Sequence, residues 1–190
     1  MKKLTALLIA LMLLASCVPF ALAAEAAEPA SHILVVYFSA TGTTKGVAEK
    51  LAEGLSADLY EIVPQEPYTG ADLNWNNSKS RTSIEMDDPA CRPAIAGELP
   101  DLTAYDTLFI GYHIWWGDAP RIVSSFVENV DLTDKTLAVI FTSGSSGLGS
   151  SMKHLEQQSG AGSWLEGKRF TSRATVEELV SWAKSLGIEP

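Results

Sequence analysis

Apolar positions along the chain follow two rhythms in turn, a short uncharged run and then a helical stripe. Ile33 to Phe38 is unbroken by charge and carries Val35, Val36 and Tyr37 in a row. Such a run predicts a strand buried on both faces, as in a parallel sheet covered by helices. From Thr44 onward, Val47, Ala48, Leu51, Ala52 and Leu55 recur at helical spacing. Ala57 to Val63 sets Leu59, Ile62 and Val63 among polar neighbours, a shorter second strand closed by Pro64. Tyr105 to Tyr112 reads as a third strand, entered through Asp101-Leu102. Ile122, Val123, Phe126, Val127 and Val130 give the next helix its stripe, with Pro120 suited to its first turn. Leu137 to Phe141 is a fourth strand, followed by a helical segment from Ser150 to Gln158. Trp164 to Phe170 is the last strand, and Val176, Leu179, Val180, Trp182, Ala183 and Leu186 mark a final helix stopped by Gly187.

The rhythm breaks between the second and third strands. Pro67, Gly70, Pro89, Pro93, Gly97 and Pro100 punctuate this stretch, and only Ser78 to Met86 suits a short helix. An irregular connection of such length is usually functional. Tyr68, Trp75 and the run Asn74 to Asn77 could cover a ligand, or Trp75 could simply pack the loop onto the body.

Five strands alternating with helices predict an open, doubly wound α/β sheet. Ligands of such sheets sit beyond the carboxyl ends of the strands, where strand order reverses. Three loops there have unusual composition. The first, Ser39-Ala-Thr-Gly-Thr-Thr44, places four hydroxyl side chains around Gly42 between a buried strand and a helix. A helix N-terminus offers unpaired N–H groups and partial positive charge, so with these hydroxyls it can hold a phosphate without a cationic side chain. The simpler alternative is that Thr43 or Thr44 caps the helix. G-x-G-x-x-G is absent, and Lys45 follows Thr-Thr rather than a glycine, which excludes the ATP-type loop.

The second loop, His113 to Pro120, carries adjacent indoles at Trp115 and Trp116, followed by Gly117. One could stack on a flat heteroaromatic ring while the other enters the core, since successive residues of an extended chain point to opposite sides. The pattern leaves open which does which. The third loop, Thr142 to Gly149, is rich in glycine and serine, so backbone N–H groups there can turn towards ring acceptors. A serine nucleophile elbow needs G-x-S-x-G, and Gly144-Ser-Ser-Gly147 has the wrong spacing.

Composition narrows the partners. Lys2 and Lys3 precede an uncharged run from Leu4 to Ala15, so residues 1–23 read as a secretory signal. Ala21-Leu22-Ala23 suits simple cleavage, whereas Leu14-Ala15-Ser16-Cys17 resembles a lipoprotein box that would lipidate Cys17 and tether the protein to a membrane. Residues 24–31 form a short tether, and 32–190 fit one domain. Without its leader the chain has 12 basic residues, the 14 of the whole less Lys2 and Lys3, against 23 acidic ones. That balance argues against nucleic acid and suits a basic partner. Cys91 alone remains, so an intrachain disulfide is excluded, and His32, His113 and His154 are too scattered in sequence to suggest a metal site.

Taken together, the three loops resemble those of a bacterial branch of flavodoxin-like, FMN-binding proteins. Gly111-Tyr-His-Ile-Trp-Trp-Gly117 with Ala119-Pro120-Arg121 carries the resemblance, as do Tyr68, Asp72-Leu73, Ser80-Arg81, Glu85-Met86 and Arg92-Pro93. It implies a three-layer sandwich around a five-stranded parallel sheet of order 2-1-3-4-5, with FMN as cofactor. Ser39, Ala40, Thr41, Gly42, Thr43 and Thr44 would hold the phosphate. His113, Ile114, Trp115, Trp116 and Gly117 would lie along one side of the flavin, and Ser143, Gly144, Ser145 and Gly147 along another. His113 departs from the branch's usual proline, Ser145 from glycine, and Asp118 from a small neutral or hydroxyl residue. A histidine beside the flavin would make its potential pH-dependent near neutrality; a core histidine would not. The resemblance leaves three functions open: an electron carrier serving a redox partner protein or small acceptor, an FMN-dependent NAD(P)H or quinone reductase, and a non-redox module for another phosphate ligand.

Overall fold

The structure is a computed structural model and describes residues 32–189; the proposed signal segment, Cys17 and the tether lie outside them. Five strands, β1 (Ile33–Tyr37), β2 (Asp58–Glu61), β3 (Thr107–His113), β4 (Thr136–Thr142) and β5 (Ser163–Arg169), form one sheet of order β2-β1-β3-β4-β5. Every neighbouring pair is parallel. The helices are α1 (Thr43–Leu55), α2 (Arg81–Asp87), α3 (Arg121–Glu128), α4 (Ser151–Ser159) and α5 (Val176–Ser185).

Strand side chains alternate between faces, and β1 shows what that does to the core. Leu34, Val36 and Phe38 pack with Ile122, Val123 and Phe126 of α3 and Leu155 of α4. Ile33, Val35 and Tyr37 pack on the other side with Val47, Leu51 and Leu55 of α1 and Leu179 and Trp182 of α5. Hence the run carries no polar position: both faces are interior. Each such side chain, fully buried, contributes roughly 1.5–3 kcal/mol.

The sheet edges differ from its centre. On β2 and just past it, Leu59 and Val63 are exposed and only Ile62 is buried. On β5 the register slips, so that Leu137 and Val139 of β4 face Trp164 and Gly167. Glu166, Lys168 and Arg169 keep that edge charged, which discourages pairing with another chain. α3 ends at Glu128, where the Asn129 side-chain amide donates to Ser125 O; Val130 therefore falls outside the helix expected to include it.

The connection between β2 and β3 is tied down throughout. Ala96 N–H donates to Val63 O and Gln65 N–H to Ala94 O, holding its two ends together. Ser80 caps α2 by accepting from Ser83 N–H. In α5, Thr175 and Glu178 form a reciprocal capping box.

Candidate functional site

Parallel pairing puts the loops after β1, β3 and β4 on one edge of the sheet. In the first loop, Ser39 Oγ accepts Gly42 N–H at 3.1 Å, and Gly42 sits at φ 86°, where a side chain would be strained. The first helix-type bond runs from Gly46 N–H to Gly42 O. The N–H groups of Thr43, Thr44 and Lys45 therefore mark the open start of α1. No side chain caps this helix, so neither Thr43 nor Thr44 plays the capping role. Thr41 and Thr43 are exposed beside Ser39. Thr44 is different: it is buried, and its hydroxyl lies 2.9 Å from that of Thr142. One of the four hydroxyls thus joins two loops instead of facing outward.

The second loop is a tight hairpin. Trp115 and Asp118 exchange both backbone hydrogen bonds, at 3.0 and 2.9 Å, around Trp116 (φ 47°) and Gly117 (φ 79°). Positive φ at both central residues is the type I′ requirement, which asparagine or glycine usually meets and tryptophan rarely does. The two indoles part here. Trp115 packs edge-on to Phe38 and Tyr68, with ring centres 5.8 and 5.4 Å away, while Trp116 is exposed.

His113 lies 4.7 Å from the Trp115 ring and 5.6 Å from Phe38, ring centre to ring centre. Burial among these rings pushes its pKa down to about 4. Of the two alternatives for His113, this packing favours a half-buried imidazole that is neutral at ordinary pH.

The third loop begins where Ile114 N–H donates to Thr142 O. The Ser143 hydroxyl donates to Ser146 O, and Gly144, Ser145 and Gly147 are exposed. Gly149 sits at φ 59°, and a Cβ there would stand 2.5 Å from Gly117 O, so the second and third loops touch backbone to backbone. The structure thus brings the residues of all three loops to one edge and withdraws Thr44's hydroxyl, Trp115 and His113 into packing.

Two polar networks frame the site, and neither is obvious from spacing. Asp118 accepts from Ala119 N–H, from Arg121 Nη1 at 3.1 Å, and pairs with His154 Nδ1 at 3.0 Å. Arg121 also donates to Met86 O and Asp88 O, fastening the long connection to the start of α3. Inside that connection, Glu85 accepts from Tyr68 OH and Arg81 Nε, both at 2.6 Å, and the Arg81 guanidinium lies 4.1 Å from the Tyr68 ring centre. Burial, then the Glu85 hydrogen bond, raise the Tyr68 pKa. The i,i+4 spacing of Arg81 and Glu85 and the i,i+3 spacing of Asp118 and Arg121 were the available signals.

A flavodoxin family profile matches residues 32–186. The chain belongs to the flavodoxin family. A candidate flavoprotein from Bacteroides eggerthii DSM 20697 is 44% identical, with 83% of this chain and 98% of that one covered and a TM-score of 0.78. Another, from Bacteroides uniformis ATCC 8492, is 42% identical, with 80% and 97% covered and a TM-score of 0.76. The flavoprotein from Lactobacillus acidophilus NCFM, solved in complex with FMN, is 21% identical over 72% of this chain and 91% of that one; its TM-score of 0.57 shows a shared fold. Among curated proteins no match is found. The flavodoxin fold expected from the sequence, strand order included, is the one observed.

Proposed function

We propose that this protein carries electrons on a bound FMN outside the cytoplasm. One observation carries the reading: the open N–H groups at the start of α1, with the Ser39, Thr41 and Thr43 hydroxyls, share a sheet edge with the Ile114–Gly117 turn and the Ser143–Gly147 loop. Such an edge fits a phosphate joined to a flat ring system. FMN is the cofactor, in keeping with the flavoprotein relatives. Ser39, Ala40, Thr41, Gly42 and Thr43, with Thr44 through its N–H, would hold the phosphate. Ile114, Trp116 and Gly117 would hold one side of the ring, and Ser143, Gly144, Ser145 and Gly147 another. Trp115 and His113 support this wall from behind. FMN supplies the redox chemistry; the chain binds it, orients it and limits water around it.

The visible absorbance of the purified protein, before and after adding FMN, tests the cofactor. A bound-flavin spectrum that disappears in Thr41→Val with Gly42→Val is expected. A colourless protein that takes up no FMN would overturn the reading.

Export rests on Lys2, Lys3 and the apolar run Leu4 to Ala15. No helix among the described residues is long and apolar enough to cross a membrane. Membrane attachment, where it occurs, would come from lipidation at Cys17. Cys17→Ala should release the protein from the membrane fraction; unchanged association would remove the lipoprotein reading. The electrons go to a redox partner protein or to a small acceptor.

A further inference from the structure

A groove of about 910 Å3 lies between β5 and α5. No residue of the loops after β1, β3 or β4 lines it, so it is distinct from the flavin edge. β5 and the connection after it contribute Lys168, Arg169 and Arg173, all exposed. α5 contributes Glu177 and Glu178, with Ser181 further along. The described residues hold five arginines. Arg81, Arg92 and Arg121 each pair with a carboxylate. The guanidiniums of Arg169 and Arg173 pair with none among the described residues, and both stand at this groove. Lys168 likewise meets no carboxylate there; its ammonium lies 5.5 Å from the Phe170 ring centre. In a chain whose acids outnumber its bases, the free cations are gathered on one face. Beneath them Phe170 and Trp182 are buried with ring centres 5.4 Å apart, and the Trp182 indole donates to Glu166 at 2.8 Å. The floor is thus fixed and offers no open ring face for a flat ligand.

We propose that this groove seats an extended acidic segment of a partner protein. Net charge suits a basic partner; this face is the local exception, and its sign selects carboxylates. Lys168 and Arg169 are successive on a strand and point to opposite sides, and Arg173 lies four residues on. The three cations are therefore strung out instead of converging. A single phosphate cannot engage all of them, whereas carboxylates spaced along an extended chain can. Glu177 and Glu178 repel a broad anionic surface such as a membrane or nucleic acid, but leave room for a narrow segment between them and the cations. The charged edge of β5 disfavours backbone pairing, so side chains hold the segment, and the Ser181 hydroxyl can bond its backbone. Position supplies the use. Arg169 pairs in register with Phe141, one residue before the end of β4, from which the third flavin-type loop departs. A partner seated here stands beside the flavin edge. That consequence for electron transfer rests on the FMN reading; the docking does not.

The test is fluorescence anisotropy of a labelled short peptide of alternating glutamate and serine, blocked at both ends, titrated with the purified protein with and without FMN. Its glutamine counterpart is the control. Saturable binding of the acidic peptide is expected, with or without FMN, and the glutamine peptide should bind about tenfold more weakly. Arg169→Gln with Arg173→Gln should weaken the acidic peptide about tenfold and leave FMN affinity unchanged. Lys79→Gln, which removes an exposed cation outside the groove, should leave peptide binding as it was. Equal affinity for the two peptides would overturn the proposal, as would unchanged affinity in the double variant. An equal loss in Lys79→Gln would reduce the effect to net charge and overturn it too. Phosphatidylglycerol vesicles bound more tightly than the peptide through the same arginines would make the face a membrane contact instead. Self-association of the protein that the double variant abolishes would make the occupant a second copy. A protein that binds the acidic peptide yet takes up no FMN would strike the cofactor reading and leave the groove standing.

Discussion

The hydroxyls of Thr44 and Thr142 meet at 2.9 Å, joining the first turn of α1 to the last residue of β4 across 98 positions of sequence. Both residues are buried, so each hydroxyl depends on the other. Thr44→Val or Thr142→Val alone should cost about 1–3 kcal/mol, because each strands a buried polar group. The double variant should be less destabilised than the two single changes summed, by on the order of 1 kcal/mol. Urea unfolding of all four proteins measures this; strict additivity would mean that the pair is not coupled.

Glu85 is the acceptor for two neighbours at once, Tyr68 and Arg81. Glu85→Ala strips the carboxylate from a half-buried guanidinium and should cost roughly 2–4 kcal/mol. Tyr68→Phe, which removes one hydrogen bond, should cost about 1 kcal/mol. The ranking can be read from thermal unfolding. Equal losses would contradict the shared-acceptor arrangement.

Trp116 occupies a turn position that asparagine tolerates better. Trp116→Asn restores the usual Asn-Gly pairing and should raise the stability of the FMN-free protein by up to about 1 kcal/mol. FMN affinity should fall in the same variant. A variant both less stable and equally tight for FMN would show that the indole's exposure serves packing and not the ligand.

His113 makes stability depend on pH in a stated direction. Its pKa is about 4 in the folded protein against an ordinary 6.5, so between those values the unfolded chain binds the extra proton. The contribution, about 3 kcal/mol at most, is fully present above pH 6.5 and is lost as pH falls towards 4. His113→Phe should flatten the fall in unfolding midpoint between pH 7 and about pH 4.5. The same variant should leave the flavin potential's dependence on pH unchanged near neutrality. A changed dependence there would return His113 to the flavin's electrostatics.

By itself the sequence determined the order of elements, because each signal is local. An uncharged run such as Ile33 to Phe38 has few other ways to hide both of its faces, and Val47, Leu51 and Leu55 line up within one helix. The three ligand-type loops were legible for the same reason: their hydroxyls, indoles and glycines are concentrated at strand ends. What only the tertiary structure decided is where individual side chains go. Thr44 reads like its neighbours Thr41 and Thr43 until Thr142 arrives beneath it. Trp115 and Trp116 are indistinguishable until Phe38, Tyr68 and His113 claim one of them and the turn holds out the other. The irregular connection looked loose because its anchors, Arg121 to Met86 and Asp88, come from another element. β5 keeps its charges because it lies at the edge the strand order assigns it, with Glu166, Lys168 and Arg169 towards solvent. Each of these outcomes depends on a partner far away in sequence, and burial, hydrogen bonding and pKa belong to such pairs, not to single positions.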